Sequence, residues 1–215
     1  MEEGNLHHLR QTYNRHRLDD KEVADNPIVQ FQRWFEEATN IEGIEPNAMM
    51  LGTIDEEGRL SSRVVLLKSF DEAGFIFYTN YNSRKAKAIA YHNQVSLTFF
   101  WEALERQVHI QGKAYKVPAE VSDQYFHERP YGHQIGAWVS PQSSIIPDRA
   151  YLEDRVKQFE QEFTPESIER PPHWGGYRVE IDRIEFWQGR PNRLHDRIEY
   201  RLDDQGRWEN QRLAP

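Results

Sequence analysis

The sequence predicts a mainly β protein in which an antiparallel barrel carries inserted helices. Three observations favour this fold class. Short apolar or β-branched runs recur along the chain, tight acidic and glycine-containing turns separate several of them, and helical patterns are inserted among the strands without alternating regularly with them. A doubly wound sheet built from βαβ units is therefore not expected.

The first predicted element is a helix that begins after a polar stretch. Asn26 is a suitable N-cap and Pro27 fits the first helical turn. Apolar residues then recur at helical spacing, at Ile28, Phe31, Trp34, Phe35 and Ala38. The stretch 1–25 has no such pattern, and an irregular tail is its ordinary interpretation. We therefore predict a flexible segment over 1–25 and one domain over 26–215.

Strands are predicted where β-branched and aromatic residues lie between turn signals. Their ranges are 48–54, 63–68, 75–79, 95–101, 106–117, 177–187, 198–202 and 207–213. Acidic turns ending in glycine are predicted at 55–58, 71–74 and 203–206. Gly112 lies inside the fifth of these strands and suggests a β-bulge.

Three further helices are predicted among the strands, a short one beginning at Ser83 and two over 118–129 and 148–163. In the last of these, one face is apolar and consists of Leu152, Val156, Phe159 and Phe163. The segment 130–147 is rich in Pro, Gly, Ser and Gln, so we predict a loop there. Residues 164–172 form a proline-containing connector.

The composition excludes several classes of protein and of site. The chain has 215 residues, no cysteine and a formal net charge of -8. Disulfides and thiolate metal sites are impossible, no histidine spacing suggests a metal, and the charge argues against general nucleic-acid binding. No apolar run approaches the ~20 residues of a membrane span, and the N-terminus is too polar for a secretory signal. We expect a cytoplasmic protein with neither nucleic-acid nor membrane partners.

Side chains suited to ligand binding are most concentrated at 187–197, which reads Trp-Gln-Gly-Arg-Pro-Asn-Arg-Leu-His-Asp-Arg. Guanidinium groups suit phosphates and ring edges, histidine can change charge near neutral pH, and tryptophan offers a flat apolar wall. On an extended chain Arg193, His195 and Arg197 would point to the same side. This pattern predicts a site for an anionic aromatic molecule, and the alternative is a charged surface loop around a core tryptophan.

Two more basic groups are candidates for anion binding. Arg63 and Lys68 lie five apart on a predicted strand, which places them nominally on opposite faces, and the alternative is that both are solvated strand ends. Arg84 and Lys85 follow Ser83 at a predicted helix N-terminus. Cations there disfavour the helix unless an anion binds, and the alternative is an ordinary serine cap with surface charges.

Two smaller polar groups are weighed in the same way. Tyr125 and Arg129 lie four apart on one helix face, where they could clamp a phosphate or form a stabilising surface pair. The loop residues Gln142 and Ser143 could donate hydrogen bonds to a ligand, or could bind only water.

These motifs together resemble the pyridoxine/pyridoxamine 5′-phosphate oxidase family of FMN enzymes, from about residue 8 to the C-terminus. The resemblance rests on Arg-Val-Val-Leu-Leu-Lys (63–68), Phe-Tyr-Thr-Asn (77–80), Ser-Arg-Lys-Ala (83–86), Leu-Glu-Arg-Gln-Val (104–108), Gln-Ile-Gly-Ala-Trp-Val-Ser (134–140), Gln-Ser-Ser (142–144), Phe-Trp-Gln-Gly (186–189), Arg-Leu-His-Asp-Arg (193–197) and Arg-Leu-Ala-Pro (212–215). It implies a split antiparallel β-barrel that forms a homodimer with FMN at the subunit interface. It also implies O2-dependent oxidation of pyridoxamine and pyridoxine 5′-phosphates to pyridoxal 5′-phosphate, with H2O2 as product.

The resemblance assigns a role to each site residue. FMN would be bound by Arg63, Val64, Val65, Leu66, Leu67, Lys68, Tyr78, Thr79, Arg84, Lys85, Gln107, Gln142, Ser143, Trp187 and Arg197. Among these, Gln142 and Ser143 would reach the flavin of the other subunit. The substrate would be bound by Arg10, Tyr13, Lys68, Tyr125, Arg129, His133, Arg193, Leu194 and His195. Arg193 and His195 are the predicted catalytic residues, Arg10 and Tyr13 the predicted lid, and no metal is expected.

This chain departs from the family pattern at two places. His133 stands where a serine is common near the substrate phosphate, and residues 10–13 read Arg-Gln-Thr-Tyr where Arg-Arg-Glu-Tyr is more familiar. Two rival functions use the same scaffold. A phenazine-pathway flavin oxidase should lack the set Lys68, Tyr125 and Arg129, and a non-catalytic flavin- or haem-binding protein has no need of Arg193 and His195.

Overall fold

The structure, a computed structural model, describes Leu9 and residues 11–215. In these residues nine strands are formed, β1 Ala48–Ile54, β2 Leu60–Leu66, β3 Ser69–Asp71, β4 Gly74–Asn80, β5 Gln94–Trp101, β6 Arg106–Lys116, β7 Trp174–Gln188, β8 Asp196–Leu202 and β9 Trp208–Arg212. The helices of the same residues are α1 Pro27–Thr39, α2 Arg84–Tyr91, α3 Ala119–Glu128, α4 Tyr131–Val139 and α5 Ala150–Glu162. Among these helices, none combines the length and the apolar character that a membrane-spanning helix requires.

The strands form one hydrogen-bonded sheet in the order β2-β1-β5-β6-β7-β4-β3, with β8 beside β7 and β9 beside β8. Antiparallel pairing joins β1 to β2, β3 to β4, β4 to β7, β7 to β8 and β8 to β9. The chain divides into two compact units, and β5, β6 and β7 each contribute residues to both. The mainly β prediction is therefore confirmed.

The first unit comprises the chain up to Pro46 together with Leu97–Gln111 and Asp182–Pro215. Its core is aromatic. The predicted stripe of α1 packs Phe31 on Phe99, with ring centroids 5.2 Å apart, and Trp34 on Phe186 at the same separation. Asn26 caps the helix as predicted, because its side chain accepts hydrogen bonds from the backbone N–H groups of the first turn.

The second unit comprises Asn47–Ser96 and Gly112–Ile181. Beside its strands, α3 and α4 bury a cluster made of Phe126, Ile135, Ala137, Val139, Ile168 and Trp174. The apolar face predicted for α5 packs against this cluster through Leu152, Val156, Phe159 and Phe163. The helical register predicted for this segment is therefore confirmed.

The prediction of a loop over 130–147 is wrong, because its first half is helix α4. Ile135, Ala137 and Val139 are buried in the cluster of the second unit. Gln134 also donates its side-chain amide to the carbonyl of Phe126 at the end of α3, at 3.0 Å. Helix α4 is stabilised by the burial of these residues and by the hydrogen bond from Gln134 to α3. The prediction missed it because the segment is rich in residues that disfavour helices, and the local sequence contains neither contact.

The bulge predicted at Gly112 is also wrong. From Arg106 to Tyr115, more and less buried residues alternate along β6 and the alternation continues through Gly112, as expected for a regular strand. A Cβ at Gly112 would lie 2.1 Å from the carbonyl oxygen of Glu180. Glycine is needed here because the neighbouring backbone comes too close for any side chain.

The N-terminal stretch is irregular but not free where the structure describes it. Leu18 is buried, the backbone N–H of Arg15 donates to Glu105, and the hydroxyl of Tyr200 donates to the carbonyl of Ala24 at 2.6 Å. Residues 15–24 are thus held to the rest of the first unit by tertiary contacts, which a local sequence pattern does not reveal.

Candidate functional site

A cavity of about 560 Å³ opens in the second unit, a size typical of small-molecule sites. It is lined by many of the predicted residues, namely Arg63, Val64, Val65, Leu66, Lys68, Tyr78, Thr79, Lys85, Tyr125, Arg129, His133 and Gln142. Leu67 is buried and is not part of this lining. No carboxylate is among the residues that line the cavity, although the chain as a whole is acidic. The cavity is therefore suited to an anion.

Arg63 projects into this cavity from β2 and has only neutral partners there. Its guanidinium donates to the carbonyl of Leu51 at 3.0 Å, to the hydroxyl of Thr53 at 2.9 Å and to the hydroxyl of Ser61. Burial, together with the nearby charge of Arg84, lowers the pKa of Arg63. A positive charge fixed by neutral acceptors stays available to an anionic ligand.

The expectation that Arg63 and Lys68 lie on opposite faces is wrong. Strand β2 ends at Leu66, and the backbone N–H of Lys68 donates to the carbonyl of Ile76 at 2.9 Å. Strand alternation therefore does not extend to Lys68, and both side chains line the same cavity.

The N-terminus of α2 adds a second group of cations. The ammonium of Lys85 donates to the side-chain oxygens of Gln142 at 2.9 Å and Thr79 at 3.2 Å. Burial, with a further contribution from Arg63, lowers the pKa of Lys85. Ser83 caps the helix as predicted. Free N–H groups, the helix dipole and these cations together favour an anion at this point.

Gln142 and Ser143 lie beside this helix in their own chain. Besides the contact of Gln142 with Lys85, the backbone N–H of Arg84 donates to the hydroxyl of Ser143 at 3.2 Å. Ser143 has a backbone φ of 71°, which is unusual for a residue with a side chain. Within this chain the two residues support Lys85 and the α2 N-terminus, and their predicted contact with the flavin of the other subunit stays a prediction.

Lys68, Tyr125 and Arg129 line the cavity beside a group of stacked rings. Tyr125 stacks on Tyr78 at 4.1 Å, and both rings lie nearly parallel to Trp174. The ammonium of Lys68 lies 5.9 Å from the Tyr125 ring, and the guanidinium of Arg129 lies 4.5 Å from the Trp174 ring. Tyr125 and Arg129 are half-buried and line the cavity, which favours the phosphate clamp over a stabilising surface pair.

Arg129 is the most unusual cation of this group. Its Nη1 atom is buried and has no hydrogen-bond partner, and it is the only such side-chain nitrogen or oxygen in the described residues. Burial lowers the pKa of Arg129, although the nearby hydroxyl of Tyr125 opposes the shift. A buried charged donor without a partner is costly, so this atom marks a place for an anion.

The stretch 187–197 lies in the first unit and forms a second candidate group. The rings of Trp187 and His195 are 4.5 Å apart, and Tyr13 packs against both. A Cβ at Gly189 would meet the Tyr13 ring at 2.7 Å, so glycine permits this approach. The structure thus brings the predicted lid residue Tyr13 to the predicted catalytic histidine, whereas Arg10 lies outside the described residues.

His195 is held in one neutral form. Its Nδ1 atom accepts a hydrogen bond from the backbone N–H of Arg190 at 3.1 Å, which places the ring proton on Nε2. Burial lowers the pKa of His195, and the charge of Arg193 lowers it further, while Asp196 opposes the shift. The imidazole therefore presents an N–H donor.

The expected extended alternation of Arg193, His195 and Arg197 is wrong. Pro191–Arg193 forms a tight turn in which Asn192 and Arg193 have φ values of 57° and 62°. Two consecutive residues with positive φ interrupt the extended chain, and β8 begins only at Asp196. Leu194 is exposed on this turn. Such strained backbone at a group of chemically active side chains is typical of functional sites.

Arg197 differs from the cations of the cavity because it has a carboxylate partner. Its guanidinium donates to Glu185 through two bonds of 2.8 and 2.9 Å and to the carbonyl of Ala214 at 2.8 Å. The hydrogen bond with Glu185 raises the pKa of Arg197. Gln107 lies half-buried on β6, in the same unit.

Sequence reasoning missed Trp174 altogether. This residue lies at the start of β7, three residues before the predicted strand, and it lines the cavity. Its only local signal was an aromatic residue between prolines and two glycines. Gly132 and Gly136 of α4, and Ser140 just after it, also line the cavity.

The chain matches two sequence profiles of known families. Residues 36–163 match the profile described as pyridoxamine 5′-phosphate oxidase, and residues 174–215 match the pyridoxine 5′-phosphate oxidase C-terminal dimerisation region. A pyridoxine/pyridoxamine 5′-phosphate oxidase of Synechocystis sp. is 51% identical over 215 residues, with all of both chains covered. Pyridoxine/pyridoxamine 5′-phosphate oxidase 1 of Ralstonia nicotianae is 52% identical, and the match covers 96% of this chain and 97% of the Ralstonia protein.

Solved structures agree with these matches. PhzG from Burkholderia lata 383, in complex with tetrahydrophenazine-1-carboxylic acid, has a TM-score of 0.87 and 28% identity and covers 95% of this chain and 100% of its own. A pyridoxamine 5′-phosphate oxidase-related FMN-binding protein from Nostoc punctiforme has a TM-score of 0.72 at 16% identity, over 90% of this chain and 100% of its own. The predicted fold class, a split antiparallel β-barrel with inserted helices, is confirmed.

Proposed function

Because the chain belongs to the pyridoxamine 5′-phosphate oxidase family, we propose that it oxidises pyridoxamine 5′-phosphate and pyridoxine 5′-phosphate to pyridoxal 5′-phosphate. Molecular oxygen accepts the electrons and becomes H2O2, and the amine substrate also consumes water and releases ammonia. The enzyme works as a homodimer through residues 174–215. The observation that carries the proposal is the buried Nη1 of Arg129, which has no partner in a cavity lined by cations and by no carboxylate.

We propose FMN as the cofactor, and the residues present fit its phosphate. Arg63 and Lys85 offer cations held by neutral acceptors, and the α2 N-terminus beside Arg84 offers free backbone donors. When bound, FMN would accept the equivalent of a hydride from substrate C4′ and pass the electrons to O2. Thr79 and Gln142 orient Lys85, so the phosphate would meet a cation already fixed in place.

The chain's own residues bind and orient the substrate. We assign its phosphate to Lys68, Tyr125 and Arg129, with His133 as a further residue that lines the same cavity. We assign its pyridine ring to Arg193 and His195. Since Nδ1 of His195 already accepts a hydrogen bond, His195 would donate from Nε2 to a polar substituent of the ring. Holding the two reactants in register is the main catalytic contribution of these groups.

A second candidate is an oxidase that acts on a phenazine precursor, favoured by the likeness to PhzG. The ligand of that structure, tetrahydrophenazine-1-carboxylic acid, carries no phosphate. The pairing of Lys68 with Tyr125 and of Arg129 with Trp174 has no purpose for a phosphate-free ring. This set therefore favours the phosphorylated pyridine.

One assay tests the proposal. The purified protein should contain FMN and should release H2O2 with either phosphorylated substrate. Arg193→Ala should keep the flavin and lose most turnover, on the order of 100-fold, since Arg193 orients substrate only. Arg207→Ala, on the β8–β9 turn of the same unit, is the matched control and should behave as the wild type. A flavin-loaded protein that makes no peroxide with either substrate would refute the oxidase proposal.

A further inference from the structure

We propose that Trp174 is a positioning residue for phosphate recognition, which holds Arg129 so that its N–H edge stays free for the substrate phosphate. This inference rests on the proposed function, because it concerns the phosphate end of the same site. Arg129 is half-buried, yet it has no carboxylate partner among the described residues and its Nη1 has no hydrogen-bond partner.

Aromatic faces are the contacts that hold this guanidinium. Its central carbon lies 4.5 Å from the ring of Trp174 and 5.9 Å from the ring of Phe126. A ring face attracts a cation without using any of its N–H groups, whereas a carboxylate would occupy two of them and neutralise the charge. Stacking on Trp174 therefore holds the guanidinium plane in place and leaves its N–H groups free to donate hydrogen bonds.

Trp174 can do this because it is itself held firmly. Its backbone N–H donates to the carbonyl of Pro171 at 3.0 Å, and its carbonyl accepts from Arg170 at 2.7 Å. Arg170 is fixed in turn by Asp123 at 2.6 Å. The indole is buried, with 7% of its surface exposed, and packs edge-on to Phe126. Its position is thus set before any ligand binds.

The indole of Trp174 also connects Arg129 to Lys68, the second cation assigned to the substrate phosphate. Trp174 lies nearly parallel to Tyr78, with 12° between the rings and 5.4 Å between their centroids. Tyr78 stacks on Tyr125, over which Lys68 lies. The rings form a single rigid group with a cation at each end, and both cations line the cavity. Trp174 thereby also fixes where the two phosphate-binding charges lie.

The test uses the FMN-loaded enzyme with inorganic phosphate as the probe and three variants. Trp174→Leu removes the flat ring, and Trp174→Phe keeps a smaller one. Trp138→Leu is the matched control, because Trp138 packs against the same cluster but contacts no cation in the cavity. Phosphate binding is measured by calorimetry, and KM and kcat are measured with pyridoxamine 5′-phosphate and with unphosphorylated pyridoxamine.

We expect Trp174→Leu to weaken phosphate binding and to raise KM for the phosphorylated substrate, each about tenfold, the scale of one lost partly buried cation–π contact. The kcat should change by less than about threefold, because the reacting atoms are untouched. KM for pyridoxamine should stay near the wild-type value, so the preference for the phosphate ester falls. Trp174→Phe should lie between, and Trp138→Leu should match the wild type.

Three results would overturn the inference. Wild-type phosphate affinity in Trp174→Leu, or an equal loss in Trp138→Leu, would show that Trp174 serves the core alone. If Trp174→Leu does not fold, Trp174→Phe decides, and unchanged phosphate binding there would overturn the inference. Calorimetry needs no turnover, so an enzyme that binds phosphate through Trp174 and makes no peroxide would refute the proposed function while leaving this inference intact.

Discussion

At the scale of single residues, the arginines of the candidate site differ in the groups that surround their guanidinium and in the direction of their pKa shift. Arg63 and Arg129 have neutral acceptors or ring faces as neighbours, and burial lowers the pKa of each. Arg197 is fully engaged by Glu185 and a backbone carbonyl, and its pKa is raised. The first two retain charge for an anion, whereas the charge of Arg197 is largely compensated within the protein.

His195 gives a pH-dependent prediction at this scale. Burial and Arg193 lower its pKa below the ordinary value of about 6.5, so the neutral, donating form persists as the pH falls past that value. We expect kcat/KM to hold steady from neutral pH to below pH ~6.5 and to fall only as the lowered pKa is crossed. Wild-type and His195→Asn enzymes should be compared across this range.

His195→Asn is the control for other titrating groups. Its kcat/KM should be lower than that of the wild type and should not show the fall at acid pH that the protonation of His195 causes. An NMR titration of the imidazole gives the pKa directly. An acid limb with a midpoint above the ordinary histidine value, present in the wild type and lost in His195→Asn, would contradict the prediction.

At the scale of elements, the chain's local signals predicted most helices and strands. The Asn26 cap, the Ser83 cap and the apolar face of α5 are all formed by residues near one another in sequence. Helix α4 was missed because its stability comes from burial in the second unit and from the bond between Gln134 and α3. Local propensity does not contain those contacts.

Two glycines in different elements should respond in opposite ways to alanine. In β6, a methyl group at Gly112 would collide with the backbone of Glu180, which cannot move without breaking the sheet. At Gly136 in α4 nothing lies within 4 Å of the added carbon. We expect Gly112→Ala to lose at least ~3 kcal/mol of unfolding free energy, and Gly136→Ala to gain up to ~1 kcal/mol.

Urea denaturation of the two variants and the wild type, at equal flavin content, provides the measurement. Each variant is the control for the other, since both add one methyl group. Equal unfolding free energies would show that the close approach of β6 and β7 is not rigid. Gly136 lines the cavity, so a loss of ligand affinity in its variant would not bear on this comparison.

At the scale of the whole molecule, the formal charge of -8 hides how charges are distributed. No carboxylate lines the cavity of the second unit, whereas Glu199 is fully buried in the first unit between Arg183 and Arg201. Glu199 lies within the matched C-terminal dimerisation region. Net charge therefore predicts neither the anion site nor the buried ion network.

Acid stability tests the role of Glu199. Burial alone would raise its pKa, but hydrogen bonds from Gln211, Arg201 and Arg183 outweigh it, so the pKa is lowered. A lowered carboxyl pKa contributes stability that is present above the unfolded-state value of about 4.3 and is lost as pH falls through the folded-state value. Glu199→Gln should thus be clearly less stable than the wild type at pH 7, and the difference should shrink below pH ~4.3.

Thermal or urea unfolding of both proteins from pH 7 to pH 3 provides the measurement. Glu209→Gln, at an exposed position of β9, is the control and should follow the wild type throughout. A stability difference that stays constant over this range would mean that the Glu199 carboxylate adds nothing through its charge.

The sequence by itself determined the fold class, most element positions and the residue types of the site, because caps, strand patterns and motifs are encoded locally. Only the tertiary structure decided that Arg63 and Lys68 face one cavity, that 191–193 is a tight turn, and that Trp174 supports Arg129. These features depend on contacts between residues far apart in sequence. Burial and charge partners arise only when such residues meet, and they decide which of the many cations can hold an anion.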